Sequence, residues 1–477
     1  MSAEYSKIGM LFGNSLMTVQ LSSMSINMLV SKQRQYFLSN TTKSIDFRLT
    51  QLKKLKQAII ESESAIYEAL KADLSKPIVE AYTSEFAIII QEINLALKNI
   101  RAWAKPKAKS VSWQLLPASA KIYPEPLGVV FIIGAWNYPF QLTILPLIGA
   151  ISAGNCAVIK PSELAPHSSQ LISEIISKKF NSEYIIVVEG DAETSKHLLQ
   201  ERFDHIFFTG STAIGKIIMA EAAKHLTPVT LELGGKSPCI VDANVNIEVA
   251  ARRITWGKFL NAGQSCVAPD YLIVHKDIKE QFLKAIKKCL HEFYGENPIN
   301  SPDYARIINQ KQYLRLVNLL QGNIIIGGET DLETRYIAPT VIDNVQWTDE
   351  IMQEEIFGSI LPVIEYENID NILNHLNSQE KPLSIYIFSN NSNLHRRVLQ
   401  ETSSGAVVFN DVMKHLFASS LPFGGVGYSG IGSYHGKVSF ETFSHYKSVL
   451  NRPVFFDLKL LYAPYAGKLS WLKKLLG

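Results

Sequence analysis

Cysteine is scarce in this chain: Cys156, Cys239, Cys266 and Cys289 are the only four in 477 residues. Their wide, irregular spacing offers neither a disulfide framework nor a metal knuckle, so no metal site is expected and a reducing cytoplasm is the natural compartment. Charge of one sign is also lacking. The formal net charge is +3, and no long basic run interleaves with aromatics, which argues against nucleic acid as a partner. An unbroken apolar span is missing too. The uncharged stretch Pro126 to Ile159 is long enough to cross a bilayer, but Asn137, Pro139, Gln141, Pro146 and several glycines interrupt it. It reads as a buried strand, LGVVFIIG, a loop, and a buried helix, PFQLTILPLIGAISAG. The first thirty or so residues carry a weak apolar patch without the positive start or cleavage site of a signal peptide, so a poorly ordered extension is expected over residues 1–29.

What is present suits a folded protein: 47% of residues are hydrophobic and 19% charged, enough to fill a core and still cover a surface. The length calls for about two or three domains. Ile45, Leu49, Leu52, Leu55 and Ile59 recur at helical spacing behind a capping Ser44, so helices come first. After Gly128 strands alternate with helices: VVFIIG, CAVIK, YIIVVEG and HIFFTG, then SPCIV, YLIVH, a helix near Ile278 to Glu292, SIYIF and GAVVFN. Two such runs predict two α/β domains with doubly wound parallel sheets and a site between them. Between the early helices and the first strand, VSWQLLPASAKIYPEP reads as a projecting hairpin or as a surface loop, with ETFSHYKSVLNRPVFF able to add a strand.

The chemistry concentrates at Cys266, in NAGQSCVAPDY, and Glu232, in LELGGKSP. A thiolate attacks a carbonyl, and a carboxylate then activates water against the resulting thioester. Asn137, in GAWNYPF, offers an amide to the oxyanion that forms on attack. Small polar neighbours around Cys266 suit an exposed thiolate, whereas Cys156 and Cys289 read as packed thiols. The one GxGxxG match, Gly425 to Gly430, follows no clear strand and is discounted. HIFFTGSTAIGK is a better phosphate cradle, since a strand ends at Thr209 and Gly210 to Gly215 open a helix, although a plain tight helix start reads the same way. Lys160 and Glu163, in VIKPSE, suit ribose hydroxyls or an ordinary strand end, and Glu355 and Phe357, in QEEIFGS, suit a site or a loop.

Taken together, GAWNYPF, VIKPSE, FTGSTAIGK, LELGGKSP, GQSCVAPDY, EEIFG, LPFGGVGYSG and YHGKVSFETFSH resemble an aldehyde dehydrogenase, most like the class 3 group that includes fatty aldehyde dehydrogenases. The resemblance runs from about Val30 to Val449. It implies Cys266 as nucleophile, Glu232 as base and Asn137 as oxyanion donor beside the Cys266 backbone N–H. It also implies Lys160 and Glu163 on the adenosine ribose, Gly210 and Ser211 on the diphosphate, Trp136 along the neighbouring backbone, and Glu355 with Phe357 on the nicotinamide half. NAD is the expected cofactor, with NADP possible; the expected substrate is an apolar medium- or long-chain, fatty or isoprenoid-type aldehyde. Tyr138 and Phe423 are candidate pocket walls. Implied domains are a dinucleotide-binding unit over residues 30–108 and 127–231, a dimerising β-arm over 109–126 and 441–455, and a catalytic unit over 232–440. A tail over 456–477, ending LSWLKKLLG, either docks, stays disordered or lies on a membrane surface. Ser359 stands where the family motif continues with proline, which predicts a looser loop around Glu355. Rival readings are a CoA-acylating relative, a non-catalytic protein keeping the fold, and a cysteine hydrolase, the last without a histidine placed to serve Cys266.

Overall fold

Residues 23–457 and 459–476 are described by the structure, a computed structural model. The described part opens with the helix Ser23–Leu38, which buries Ile26 and Val30. Gln33 fixes it across the sheet by donating to the Ala157 carbonyl at 2.9 Å. The expected loose extension over residues 1–29 is therefore corrected from Ser23 onward; its earlier part lies outside the described residues. Ser44 caps the next helix, Ile45–Glu61, by accepting from the Phe47 N–H, and Leu52, Leu55 and Ile59 face the core.

The first sheet has six strands in the order Gly430–Ile431, Val229–Glu232, His205–Thr209, Val129–Ile133, Cys156–Lys160, Ile185–Val187, parallel except for the first. Strands Val129–Ile133 and Cys156–Lys160 are buried at every position, because helices cover both faces and neither face has to be polar. Between them runs the helix Gln141–Ala153, buried throughout and closed at Gly154 with φ 96°. This confirms strand, loop and helix for the long uncharged stretch. Among the described residues no helix is long and apolar enough to cross a membrane.

Strand order reverses between Val129–Ile133 and His205–Thr209, so their following loops diverge and leave a crevice, the usual ligand position in such sheets. Those loops carry Trp136 and Asn137 on one side and Gly210 and Ser211 on the other. The second sheet has seven strands, running Asn323–Ile326, Thr340–Asp343, Ile360–Tyr366, Tyr271–His275, Pro238–Val241, Ser384–Phe388, Ala406–Phe409, with only the first antiparallel. A separate three-stranded antiparallel sheet joins Lys107–Lys109, Ser119–Pro126 and Ser444–Asn451. The sequence between the early helices and the first sheet thus forms strands, as the hairpin reading expected.

Candidate functional site

Cys266 is held by an unusual backbone. Helix Ile247–Phe259 ends in a turn where Asn261 (φ 53°), Ala262 (φ 52°) and Gly263 (φ 75°) are all left-handed. A non-glycine residue in that region costs about 1–2 kcal/mol, so the surroundings must hold the turn. They do so with hydrogen bonds. Asn261 N–H donates to Glu80 at 3.0 Å, Gln264 Nε2 to the Arg306 carbonyl at 2.9 Å, and Ile308 N–H to Gln264 Oε1 at 2.9 Å. At Gly263 only glycine fits, since a Cβ would sit 2.2 Å from the Gly358 carbonyl oxygen. Ser359 is buried and donates to the Ala262 carbonyl at 3.2 Å. The expected loosening at Ser359 is therefore corrected: its hydroxyl ties the Glu355 loop to the cysteine turn.

Asn137 Nδ2 donates to the Gln264 carbonyl at 3.1 Å, which aims the amide at the same turn. Its own carbonyl accepts from Asn261 Nδ2 at 2.9 Å and from Lys76 Nζ at 3.0 Å. Lys76 in turn pairs with Glu85 at 2.8 Å, with both side chains fully buried. Glu85 also accepts from the Phe140 and Gln141 N–H groups at the start of Gln141–Ala153. Sequence reading missed Lys76 and Glu85, since nothing in their local pattern marks a pair that meets a loop 61 residues on. Replacing Lys76 by methionine leaves a buried carboxylate without its cation, so Lys76→Met should lose about 3–5 kcal/mol in urea denaturation. An unchanged midpoint would contradict that role.

Glu232 ends the strand Val229–Glu232, is 3% exposed, and neither carboxylate oxygen has a hydrogen-bond partner. Burial therefore pushes its pKa well above the usual carboxylate range. The Cys266 thiol is likewise raised, first by burial and then by Glu355 and Glu232, while the N–H groups of Cys266 and Val267 pull the other way. The expected exposed thiolate is thus corrected in its setting: the sulfur is half-buried, and that burial opposes ionisation. Burial, helped by Asp270, pushes Glu355 up to about 8, against the Gly235 N–H that lowers it. The Glu355 carboxylate packs directly on Gly234, where a Cβ would come within 1.9 Å of Oε2 and displace it.

The Glu355 loop is strapped down from beneath. Lys236 Nζ bonds Asp270 at 2.6 Å and the carbonyls of Ile351 and Glu354 at 2.8 and 2.9 Å. Asp270 accepts from the Ile356 N–H at 3.0 Å, and Arg315 donates to the Ile356 carbonyl at 2.5 Å. Phe357, with φ 51°, meets Trp136 edge-on at 5.3 Å between ring centroids. Lys236, Asp270 and Arg315 were not singled out from sequence, although Lys236 lay inside LELGGKSP and Asp270 inside NAGQSCVAPDY; Arg315 carried no signal.

Two cavities meet at Cys266. One, of about 210 Å³, is lined by Trp136, Asn137, Gly210, Ser211, Glu232 and Glu355, with Phe357 and Gly234 also on its wall. The other is narrow and apolar, walled by Tyr138, Trp256, Leu416, Phe417, Phe423 and Tyr434. Tyr138 and Phe423 were candidate walls from sequence; Trp256 was not. Lys160 and Glu163 lie outside the first cleft, paired at 2.6 Å at the end of the adjacent strand, with Lys160 buried and Glu163 41% exposed on its side chain. Ser211 caps helix Thr212–Ala223. Gly215 does not line the cleft: it is buried in that helix where a Cβ would meet Leu233 at 2.7 Å, so its role is close packing of helix on strand. Gly425 to Gly430 forms a loop feeding the edge strand opposite Glu232 and opens no helix.

A crevice at a strand-order reversal, with a cysteine, a buried carboxylate and an amide at its floor, describes an oxidoreductase working through a covalent thiol adduct beside a dinucleotide. The chain belongs to the aldehyde dehydrogenase family, whose model matches residues 13–449. It is 48% identical over 448 residues to rat aldehyde dehydrogenase family 3 member A2, covering 93% of each chain. With the 4,4'-diaponeurosporen-aldehyde dehydrogenase of Staphylococcus aureus it shares 48% identity, covering 92% of this chain and 96% of that one. The dimeric, NADP-preferring aldehyde dehydrogenase of dog is 46% identical over 93% of this chain and 99% of its own. The substrate-bound structure of Staphylococcus aureus AldH superposes with a TM-score of 0.93 at 46% identity, covering 95% of this chain and 99% of that one. The protein is an enzyme that oxidises an aldehyde with NAD(P), and the fold is the α/β one expected.

Proposed function

We propose that this chain oxidises apolar aldehydes, of medium or long chain and of fatty or isoprenoid type, to carboxylic acids. The observation that carries this reading is that Cys266 lines both a polar cleft and an apolar, aromatic pocket. Residues toward the dinucleotide are Lys160 and Glu163 for the adenosine ribose and the N–H groups at Gly210 and Ser211 for the diphosphate. Trp136 lies along the neighbouring backbone, and Glu355 with Phe357 takes the nicotinamide half. Gly215 supports this set from behind by letting its helix pack closely. When bound, the dinucleotide supplies the hydride acceptor.

The chain's own part begins with the Cys266 sulfur, which gives up its proton to solvent water and adds as thiolate to the carbonyl carbon. Asn137 Nδ2 and the Cys266 N–H receive the oxyanion. Once the adduct is oxidised to a thioester on Cys266, Glu232 takes a proton from water, and the hydroxide releases the acid. A carboxyl with a raised pKa performs that step only when ionised, so deacylation should accelerate as pH rises. Glu163, a half-exposed carboxylate, disfavours a 2′-phosphate, which supports NAD over NADP. A homodimer built on the Ser119–Pro126 and Ser444–Asn451 sheet fits the exposed Val454 and Phe455 beside it. A cytoplasmic enzyme touching a membrane through helix Leu469–Leu476 fits its exposed Leu469 and Trp471.

Steady-state kinetics from acetaldehyde to dodecanal test the substrate class. Each methylene buried against the aromatic walls contributes up to about 0.8 kcal/mol, so kcat/KM should climb by at least about tenfold before levelling. A flat series, or a preference for short hydroxylated aldehydes, would overturn it.

A further inference from the structure

Among the residues lining the apolar pocket beside Cys266 there is one side-chain amide, that of Gln141. Gln141 is buried at the start of helix Gln141–Ala153, and its backbone N–H is fixed by Glu85 at 2.9 Å. The side chain takes no part in that fastening. Its amide has no hydrogen-bond partner among the described residues, yet neither of its polar atoms is sealed in protein, so the amide opens on the pocket. Neighbouring hydroxyls differ: Ser84 donates to the Glu80 carbonyl at 2.6 Å, and the Tyr138 hydroxyl is enclosed. An amide both donates and accepts. A hydrocarbon chain drawn past it strips its water and replaces neither bond.

The position of Gln141 along the substrate path follows from the two cavities. Asn137 lines the polar cleft, Gln141 the apolar pocket, and Cys266 both. The Leu142 N–H donates to the Tyr138 carbonyl at 2.9 Å, so a helical turn has begun by Tyr138. Gln141 therefore stands about one turn, roughly 5 Å, beyond the oxyanion donor. A chain whose carbonyl is held at Cys266 passes the amide several carbons later.

We propose that Gln141 is a specificity-determining residue favouring long-chain aldehydes that carry one hydroxyl partway along an otherwise apolar chain. This rests on the reading of the apolar pocket as the substrate pocket. The hydroxyl donates to Gln141 Oε1 or accepts from Nε2, while the methylenes on either side keep the apolar walls. Short hydroxylated aldehydes do not reach the amide and gain nothing from it.

The test compares dodecanal with monohydroxydodecanals bearing the hydroxyl at successive carbons, on the full chain and on Gln141→Leu and Gln141→Met. In the parent, one position or two neighbouring ones should exceed dodecanal in kcat/KM by about five- to fiftyfold, the size expected when a buried polar group is satisfied or left bare. In both variants that advantage should vanish while dodecanal itself improves, a crossing of effects that loss of packing would not produce. A parent that prefers no hydroxyl position, or variants that change all substrates equally, would overturn the proposal. Failure of the pocket reading itself would look different: unsubstituted alkanals would then show no rise in kcat/KM with chain length in the parent.

Discussion

Cys266→Ala should fold and bind NAD(P) yet produce no reduced cofactor, in the first turnover or afterwards. Among the described residues, Cys266 is the one nucleophile lining both the polar and the apolar cavity. Removing a nucleophile of this kind costs about 10⁴–10⁶ in kcat. The fold should tolerate the change, because the turn that carries position 266 is fixed by Asn261, Gln264 and Ser359 through their own hydrogen bonds and not through the thiol. Stopped-flow absorbance of reduced cofactor reads both phases. Residual steady-state activity above about a thousandth of the parent would contradict a covalent route through this sulfur.

Glu232→Gln should separate the two halves of the reaction. Since neither carboxylate oxygen of Glu232 has a partner, the amide breaks no internal hydrogen bond and the fold should persist. The amide cannot take a proton from water. Reduced cofactor should then appear in a burst of about one equivalent per subunit, followed by turnover slowed about 10²–10⁴-fold. The pH profile gives an independent sign. In the parent, the hydrolytic step should speed up as pH rises through the elevated Glu232 pKa, because only the ionised form accepts a proton; in the variant that rise should vanish. A burst-free variant with parental turnover would remove Glu232 from hydrolysis.

Much of this arrangement was legible in the sequence, for identifiable reasons. Strands such as Val129–Ile133 and Cys156–Lys160 read clearly because both faces are buried and every residue is apolar or nearly so. Ile45–Glu61 read clearly because a cap and a periodic face agree. Cys266, Glu232 and Asn137 stood out because each sits in a short run of small, glycine-rich or aromatic residues that neither helix nor strand explains. The supports did not stand out. Lys76 with Glu85, and Lys236 with Asp270 and Arg315, act through backbone atoms of distant loops, and a lysine carries no local mark of the carbonyl it will meet. Trp256 sits on an ordinary amphipathic helix and becomes a pocket wall only once the Lys414–Phe417 turn folds against it. Gly215 was legible as part of a helix-opening phosphate cradle or a tight helix start, but not the Leu233 side chain packed behind it. Ser359 shows the same limit, since its tie to the Ala262 carbonyl depends on a turn far away in sequence.

The central claim is that the substrate becomes a thioester on Cys266 before it leaves as an acid. Rapid acid quench of Glu232→Gln after mixing with dodecanal and NAD, followed by proteolysis and mass spectrometry, tests it directly. The account expects a dodecanoyl mass increment on the peptide containing Cys266, in proportion to the burst. Reduced cofactor formed at burst stoichiometry with that peptide unmodified, or with the acyl group on another residue, would contradict it.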